Sequence, residues 1–244
     1  MKIGVAQFEP IKGDIDANIV KHQQLIELAS SLKADGVFFP ELSLTGYEPE
    51  LAEALATSQD DARFDVFEQT SNKLEIVIGL GVPTKGIDGI HISMIIFQPN
   101  KPRQTYSKQQ LHSDELPYFT QGNTQVLLRI DDKVIAPSIC YESLQIDHAE
   151  NAVRLGAQIY IASVAKPQNG YEKALIHYPA IAKQHSMAVL MANCIGYCDN
   201  FESVGKSSVW NKEGMLLHQL DSNSEAVLVF DTENEEVVVM NLNP

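Results

Sequence analysis

The chain is short of cysteine and of positive charge. Its three cysteines, an odd number in 244 residues, make no disulfide framework. Lys and Arg total 18 against 32 Asp and Glu, for a net charge of −14. That balance leaves no basic face for nucleic acid or for an anionic membrane. No apolar run approaches the length of a bilayer span. The opening segment MKIGVAQFEP lacks the long apolar stretch of a secretory leader. No linker, low-complexity tract or charge block divides the sequence. These absences predict a reduced, cytoplasmic protein folded as one domain over residues 1–244, with neither nucleic acid nor membrane as a partner.

What is present supports a large core, because 44% of the residues are hydrophobic. Residues 2–8 predict a buried strand. Residues 17–32 carry Ile19, Val20, Leu25, Ile26, Leu28, Ala29 and Leu32 at helical intervals. Further strands are predicted at 37–39, 75–81, 90–98 and 104–107. Between them, Ser58 to Asp61 matches a capping box for a helix reaching about Lys73. The second half repeats this rhythm. Strands are predicted at 124–130, 133–139, 158–163 and 187–193. Helices are predicted at 143–155 and 172–185, with Pro179 kinking or breaking the second. Short strands at 207–210, 215–220, 226–231 and 237–240 follow, the first two joined by the hairpin turn Asn211-Lys212-Glu213-Gly214. Strands that alternate with helices and then meander define an α/β protein with mixed sheets.

Three ionisable residues stand where predicted strands end: Glu41, Lys108 and Cys140. Sites in such folds are built where strand ends converge. A cysteine between a strand and a helix is expected to gain thiolate character from the helix N-terminus. A carboxylate raised by burial can act as base toward a thiol, and an ammonium can hold the oxyanion of a tetrahedral intermediate. Taken singly, each has an ordinary alternative: a buried small thiol, a surface carboxylate, a solvated loop lysine.

The neighbouring residues change that weighing. Phe38-Phe39-Pro40-Glu41-Leu42-Ser43-Leu44-Thr45-Gly46-Tyr47, Tyr106-Ser107-Lys108-Gln109-Gln110-Leu111-His112 and Ser138-Ile139-Cys140-Tyr141-Glu142 resemble, in order and spacing, the three signature segments of the nitrilase superfamily, the carbon-nitrogen hydrolases. Glu115-Leu116-Pro117-Tyr118-Phe119-Thr120-Gln121-Gly122 is similar to that family's segment for a second glutamate. Ala192-Asn193 and Gly205-Lys206-Ser207 resemble its asparagine and glycine-serine positions.

The resemblance implies a four-layer α-β-β-α sandwich, dimerised through helices. It implies hydrolysis of a non-peptide C–N bond through a cysteine thioester, with no metal or organic cofactor. Cys140 would be the nucleophile, Glu41 the general base and then acid, and Lys108 the oxyanion stabiliser. Glu115 would assist Lys108 or Glu41, and the Tyr141 N–H would be a second oxyanion donor. Tyr47, Tyr118, Tyr141, Glu142, Lys166 and Phe201 are the candidate substrate-binding residues. One departure bears on the substrate: Leu144 stands where many members have arginine, and Gln145-Ile146 replaces Phe-Pro.

The leading expectation is an amidase that releases ammonia or an amine from a small amide. Nitrile or N-carbamoyl hydrolysis at the same site are the runners-up. A non-catalytic binding module and a redox protein pairing Cys140 with Cys194 or Cys198 belong to other classes. The C-x3-C spacing of those two cysteines lacks further zinc ligands. The segment from Gly79 to Gly86 fits neither phosphate-binding pattern. His177 and His185, eight residues apart on one helix, are too distant to chelate one metal.

Overall fold

Strands with both faces buried dictate the architecture. The computed structural model describes residues 1–242; Asn243 and Pro244, the end of the expected domain, lie outside them. The first half runs β1 (Lys2–Gln7), α1 (Ile15–Ser31), β2 (Gly36–Phe38), α2 (Ala52–Leu55), α3 (Asp65–Leu74), β3 (Val77–Lys85), β4 (Ile90–Phe97) and β5 (Gln104–Ser107). The second half runs β6 (Leu128–Ile130), β7 (Lys133–Ile139), α4 (Ile146–Arg154), β8 (Ile159–Val164), α5 (Gln168–His185) and β9 (Ala188–Asn193). Then come β10 (Ile195–Cys198), β11 (Phe201–Val204), β12 (Ser208–Trp210), β13 (Leu216–Gln219), β14 (Ala226–Asp231) and β15 (Val237–Asn241).

Two mixed sheets result. One has the order β15-β14-β1-β2-β3-β4-β5, the other β13-β12-β9-β8-β7-β6, and β10-β11 form a separate hairpin. Side chains alternate along each strand. Ile3 and Val5 of β1 face a core shared with Ile159 and Ile161 of β8, so the two sheets pack face to face. Ala6 joins Ile19, Leu25 and Phe67 beneath α1 and α3. Tyr160 and Ala162 join Ala149, Ala174 and Ile181 beneath α4 and α5. The expected α-β-β-α sandwich is therefore the observed fold.

Local chemistry sets the element ends. The Asp14 side chain caps α1 by accepting from the Ala17 N–H at 3.0 Å. Val20 of that helix faces solvent and not the core. The expected capping box at 58–61 is replaced by a single cap: Asp61 accepts from the Arg63 N–H at 2.9 Å and opens a 3-10 turn before α3.

Three further expectations are corrected. α5 passes through Pro179 unbroken, because Tyr171, Ala174, Tyr178 and Ile181 anchor it on both sides of the proline. The strand expected over 124–130 forms only at 128–130. Continued two residues further, the β6–β7 register would set Val126 opposite Pro137, which has no N–H, and the Gln125 side chain donates to the Pro137 carbonyl instead. The helix expected from 143 begins at Ile146, after a 3-10 turn over Glu142–Leu144.

Candidate active site

Each site residue is delivered by a strand end and fixed by contacts beyond its own element. After β2, the Phe39 N–H donates to the Gly79 carbonyl at 2.9 Å. A Cβ on Gly81 would lie 2.4 Å from the Leu42 nitrogen and 2.7 Å from the Pro40 oxygen, so only glycine lets β3 approach the Glu41 segment. His22 of α1 meets Ser43 Oγ at 2.9 Å and the Asn18 carbonyl at 2.7 Å, clasping the same segment. Lys108 follows β5; its N–H donates to the Ile92 carbonyl at 2.8 Å, and its carbonyl accepts from Gly122.

Cys140 follows β7 with φ at +45°, a left-handed conformation that costs a non-glycine residue about 1–3 kcal/mol. Its N–H donates to the Ser163 carbonyl of β8 at 3.0 Å. Its carbonyl accepts from the Ser143 N–H and hydroxyl. The sharp turn carries the thiol off the strand and out toward the cavity.

Glu41, Lys108 and Glu115 form one buried ion cluster. Lys108 Nζ lies 2.7 Å from Glu41 Oε1 and 2.6 Å from Glu115 Oε1. Glu115 also accepts from the Tyr47 hydroxyl at 3.0 Å and, through Oε2, from the His112 N–H at 2.7 Å. Glu41 Oε2 has no hydrogen-bond partner among the described residues. Burial raises the Glu41 pKa, with Glu115 adding to the rise and Lys108 opposing it. Burial works against the Lys108 charge, but the two carboxylates outweigh it and keep the ammonium protonated.

The thiol departs from expectation. Burial, and then the Glu41 charge, push Cys140 up to about 12. The turn that follows it is a 3-10 segment of three residues, too short for the dipole of a full helix. Cys140 therefore rests as a thiol beside a carboxylate with a free oxygen. Its sulfur lies 3.8 Å from the Ala165 carbonyl and 3.9 Å from Lys166 Nζ. Cys194 and Cys198 face each other at 3.5 Å, and all three cysteines are free thiols. The structure thus sets those two against one another, while the Cys140 sulfur meets Ala165 and Lys166.

A cavity of about 500 Å³ opens over Cys140. Tyr47, Glu115, Tyr141, Lys166 and Phe201, all named from sequence, line it. The Tyr47 and Phe201 rings meet at 5.7 Å between centroids. Glu41 and Lys108 are buried outside its wall and reach it through Cys140 and Glu115.

Two candidates lie elsewhere. Tyr118 is 40% exposed and stands off the cavity. Glu142 is wholly buried and spends both oxygens on protein donors: Tyr106 and the Ile139 N–H on one, the Gln109 and Gln110 N–H groups on the other. It therefore clamps the Lys108 segment to the Cys140 turn. Asn193 is likewise structural, holding the Lys166 N–H at 2.8 Å and the Gly205 carbonyl at 2.7 Å.

The cavity also takes in residues that were not among the binding candidates from sequence. His112 and Asp114 come from the loop at 109–122, Gln145 follows the Cys140 turn, and Lys173 and His177 stand one turn apart on α5. That i, i+4 spacing was the readable signal for the last pair. His177 Nε2 has no partner among the described residues. His185, on the same helix, does not line the cavity. No described group of three or more His, Cys, Asp or Glu side chains is placed to hold a metal ion. No described helix is long and apolar enough to cross a membrane.

Comparison with known proteins adds four findings. A family model described as carbon-nitrogen hydrolase matches residues 2–238. The glutamine-dependent NAD(+) synthetase of Aquifex aeolicus is 24% identical over 93% of this chain but only 41% of its own length, so the chain spans less than half of that relative. A protein called hydrolase in agr operon, from Staphylococcus aureus, is 25% identical over 97% of this chain and 93% of its own. Among solved structures, the amidase NitN of Nesterenkonia sp. AN1 superimposes with a TM-score of 0.88 at 22% identity, covering 96% of this chain and 93% of that one. At that identity the likeness is one of fold.

Proposed function

Because the chain belongs to the carbon-nitrogen hydrolase family, we propose that it hydrolyses a small amide through a thioester on Cys140. The observation that carries this reading is the unpartnered Glu41 oxygen, buried in one cluster with Lys108 and beside the Cys140 thiol. Glu41 takes the thiol proton, and the sulfur attacks the amide carbon. The oxyanion is held by Lys108 and by the Tyr141 N–H, which has no acceptor among the described residues. An amine leaves poorly unless protonated, so Glu41 returns the proton to the nitrogen as the C–N bond breaks. Water enters, Glu41 deprotonates it, and its oxygen adds to the thioester. The second tetrahedral intermediate expels the sulfur, which regains its proton from Glu41, and a carboxylic acid departs. Glu115 holds Lys108 and so fixes the oxyanion donor.

Four relatives are named as glutamine-dependent NAD(+) synthetases. That name adds glutamine to the amides worth testing. Nitriles and N-carbamoyl compounds ask for the same residues and stay in the comparison. The partner of the chain is thus a small amide, together with a second copy of itself in a homodimer. Exposed Ile146, Leu155, Leu175 and Ile176 on and beside the packed helices α4 and α5 support that assembly.

The test is product release from aliphatic amides, glutamine, dicarboxylate monoamides, N-carbamoyl amino acids and nitriles, run beside Cys140→Ala. Turnover of an amide that vanishes in the variant is the expected result. Turnover that survives Cys140→Ala, or that is confined to nitriles, would reject the proposal.

A further inference from the structure

Lys166 is a buried lysine without a carboxylate. It is 3% exposed, its ammonium forms no ion pair among the described residues, and its one polar neighbour there is Cys140 Sγ at 3.9 Å. Lysine is rarely buried unless paired, and an unpaired ammonium in a wall of low dielectric is costly. Its backbone is held tightly. The N–H donates to Asn193 Oδ1 at 2.8 Å, and the carbonyl accepts from the Val204 N–H and the Ser203 hydroxyl. The backbone that carries this side chain is therefore fixed, with Nζ 3.9 Å from the sulfur.

Counting charges shows what it can do there. Lys108 sits between two carboxylates at 2.7 and 2.6 Å. With Glu41 and Glu115 ionised, that cluster carries one net negative charge, which opposes a sulfur anion next to it. Moving the proton from Cys140 to Glu41 breaks the S–H bond and forms an O–H bond. The negative charge leaves Glu41 and appears on sulfur, 3.9 Å from Lys166. The same anion appears again when the second tetrahedral intermediate collapses.

We propose that Lys166 is a catalytic residue, the counter-charge that stabilises the Cys140 sulfur anion when the proton passes to Glu41. The proposal rests on Cys140 being the nucleophile and Glu41 its base. The ionisable groups whose charges bear on Cys140 or Lys166 are Glu41, Lys108, Glu115 and Tyr47 from the first half of the chain, and His177 and Tyr178 from α5; His112, Asp114, Tyr141 and Lys173 line the same cavity. Of these, Lys108 is already engaged, and the Cys140 charge felt at Tyr178 and Tyr47 makes their own ionisation harder. Lys166 acts more strongly than Lys108 in favouring the charged sulfur. A substrate carboxylate on Lys166 would do the opposite, placing another anion beside the sulfur and Glu41.

The test uses the intact chain and iodoacetamide, so it needs neither turnover nor a known substrate. Alkylation of Cys140 is followed by peptide mass across the neutral and alkaline range, with Cys140→Ala giving the background from Cys194 and Cys198. Lys166→Gln is expected to slow alkylation at neutral pH by at least about tenfold, the worth of one pKa unit, and to move the rate profile to higher pH. Lys166→Arg, which keeps the charge, is expected to restore most of the rate. Lys166→Met is read in the same way should the glutamine variant lose its thermal transition. An unchanged profile overturns the proposal. So does a variant that reacts normally with iodoacetamide and loses only its reaction with iodoacetate, since Lys166 would then be reading an incoming anion. A wild-type Cys140 that iodoacetamide leaves unlabelled would overturn the nucleophile itself, a failure distinct from a labelled Cys140 indifferent to Lys166.

Discussion

Glu115 and Tyr47 share one oxygen of the cluster but carry unequal weight. Glu115 Oε1 takes both Lys108 and the Tyr47 hydroxyl, while Oε2 takes the His112 N–H. Replacing Glu115 by Gln removes a charge that keeps Lys108 from collapsing onto Glu41 alone. We expect kcat on the best amide to fall about a hundredfold, in the range of a lost oxyanion donor. Tyr47→Phe removes one hydrogen bond to a charged group and should cost about tenfold. Steady-state kinetics on the two variants checks the order; a larger loss from Tyr47→Phe would contradict it.

Among the elements, α1 and α4 each bury a histidine that must stay neutral. Burial lowers His22 to about 3 and His148 to about 4. His22 bridges the Asn18 carbonyl and Ser43; His148 lies between the Tyr106 and Tyr160 hydroxyls. Both folded pKa values lie below the ordinary 6.5. Their contribution to stability is therefore complete above that value and is lost as pH falls from there toward about 4 and 3. Urea midpoints should fall steadily on acidification below neutrality. The double variant His22→Gln/His148→Gln should start lower and show a flatter slope. Because His22 clasps the Glu41 segment, acid should impair the site before the whole fold.

The same elements show what could be read without coordinates. β7 has the predicted end because a buried strand writes itself as an apolar run, here Val134 to Pro137, whereas β5 is short and mostly polar. Glu41 and Cys140 each follow such a run and Lys108 follows a polar strand; all three became legible through the likeness of their neighbouring residues to the carbon-nitrogen hydrolase segments. The β10-β11 hairpin was not. Its two short strands lack a clear period, and it is held from afar, by Asn193 on Ser203 and by the Tyr47 ring on Phe201. Glu142 was assigned to the cavity because its donors at Tyr106, Gln109 and Gln110 lie more than thirty residues away. Pairing across such separations leaves no local mark.

For the molecule as a whole, the open question is what covers α4 and α5. Ile176 is 77% exposed and Ile146 57%. Ile176→Asp should leave the melting temperature of the isolated chain little changed while shifting its sedimentation from dimer to monomer. A wild-type chain that sediments as a monomer would remove the homodimer from the proposal.

The order of the first sheet has a further consequence, for synthesis. β1 lies between β2 and β14, so residues 2–7 pair with residues 226–231. A ribosome delivers the second of those strands long after the first. Until the later one emerges, one edge of β1 stays open, and the core behind it lacks Val227, Leu228, Val229 and Phe230. Glu41 sits at the end of β2, the next strand over, so its final position waits on the same event. The nucleophile and its base are thus brought into register by a strand made after both of them, and a chain that has not yet reached it carries the thiol without the finished sheet that gives it a task.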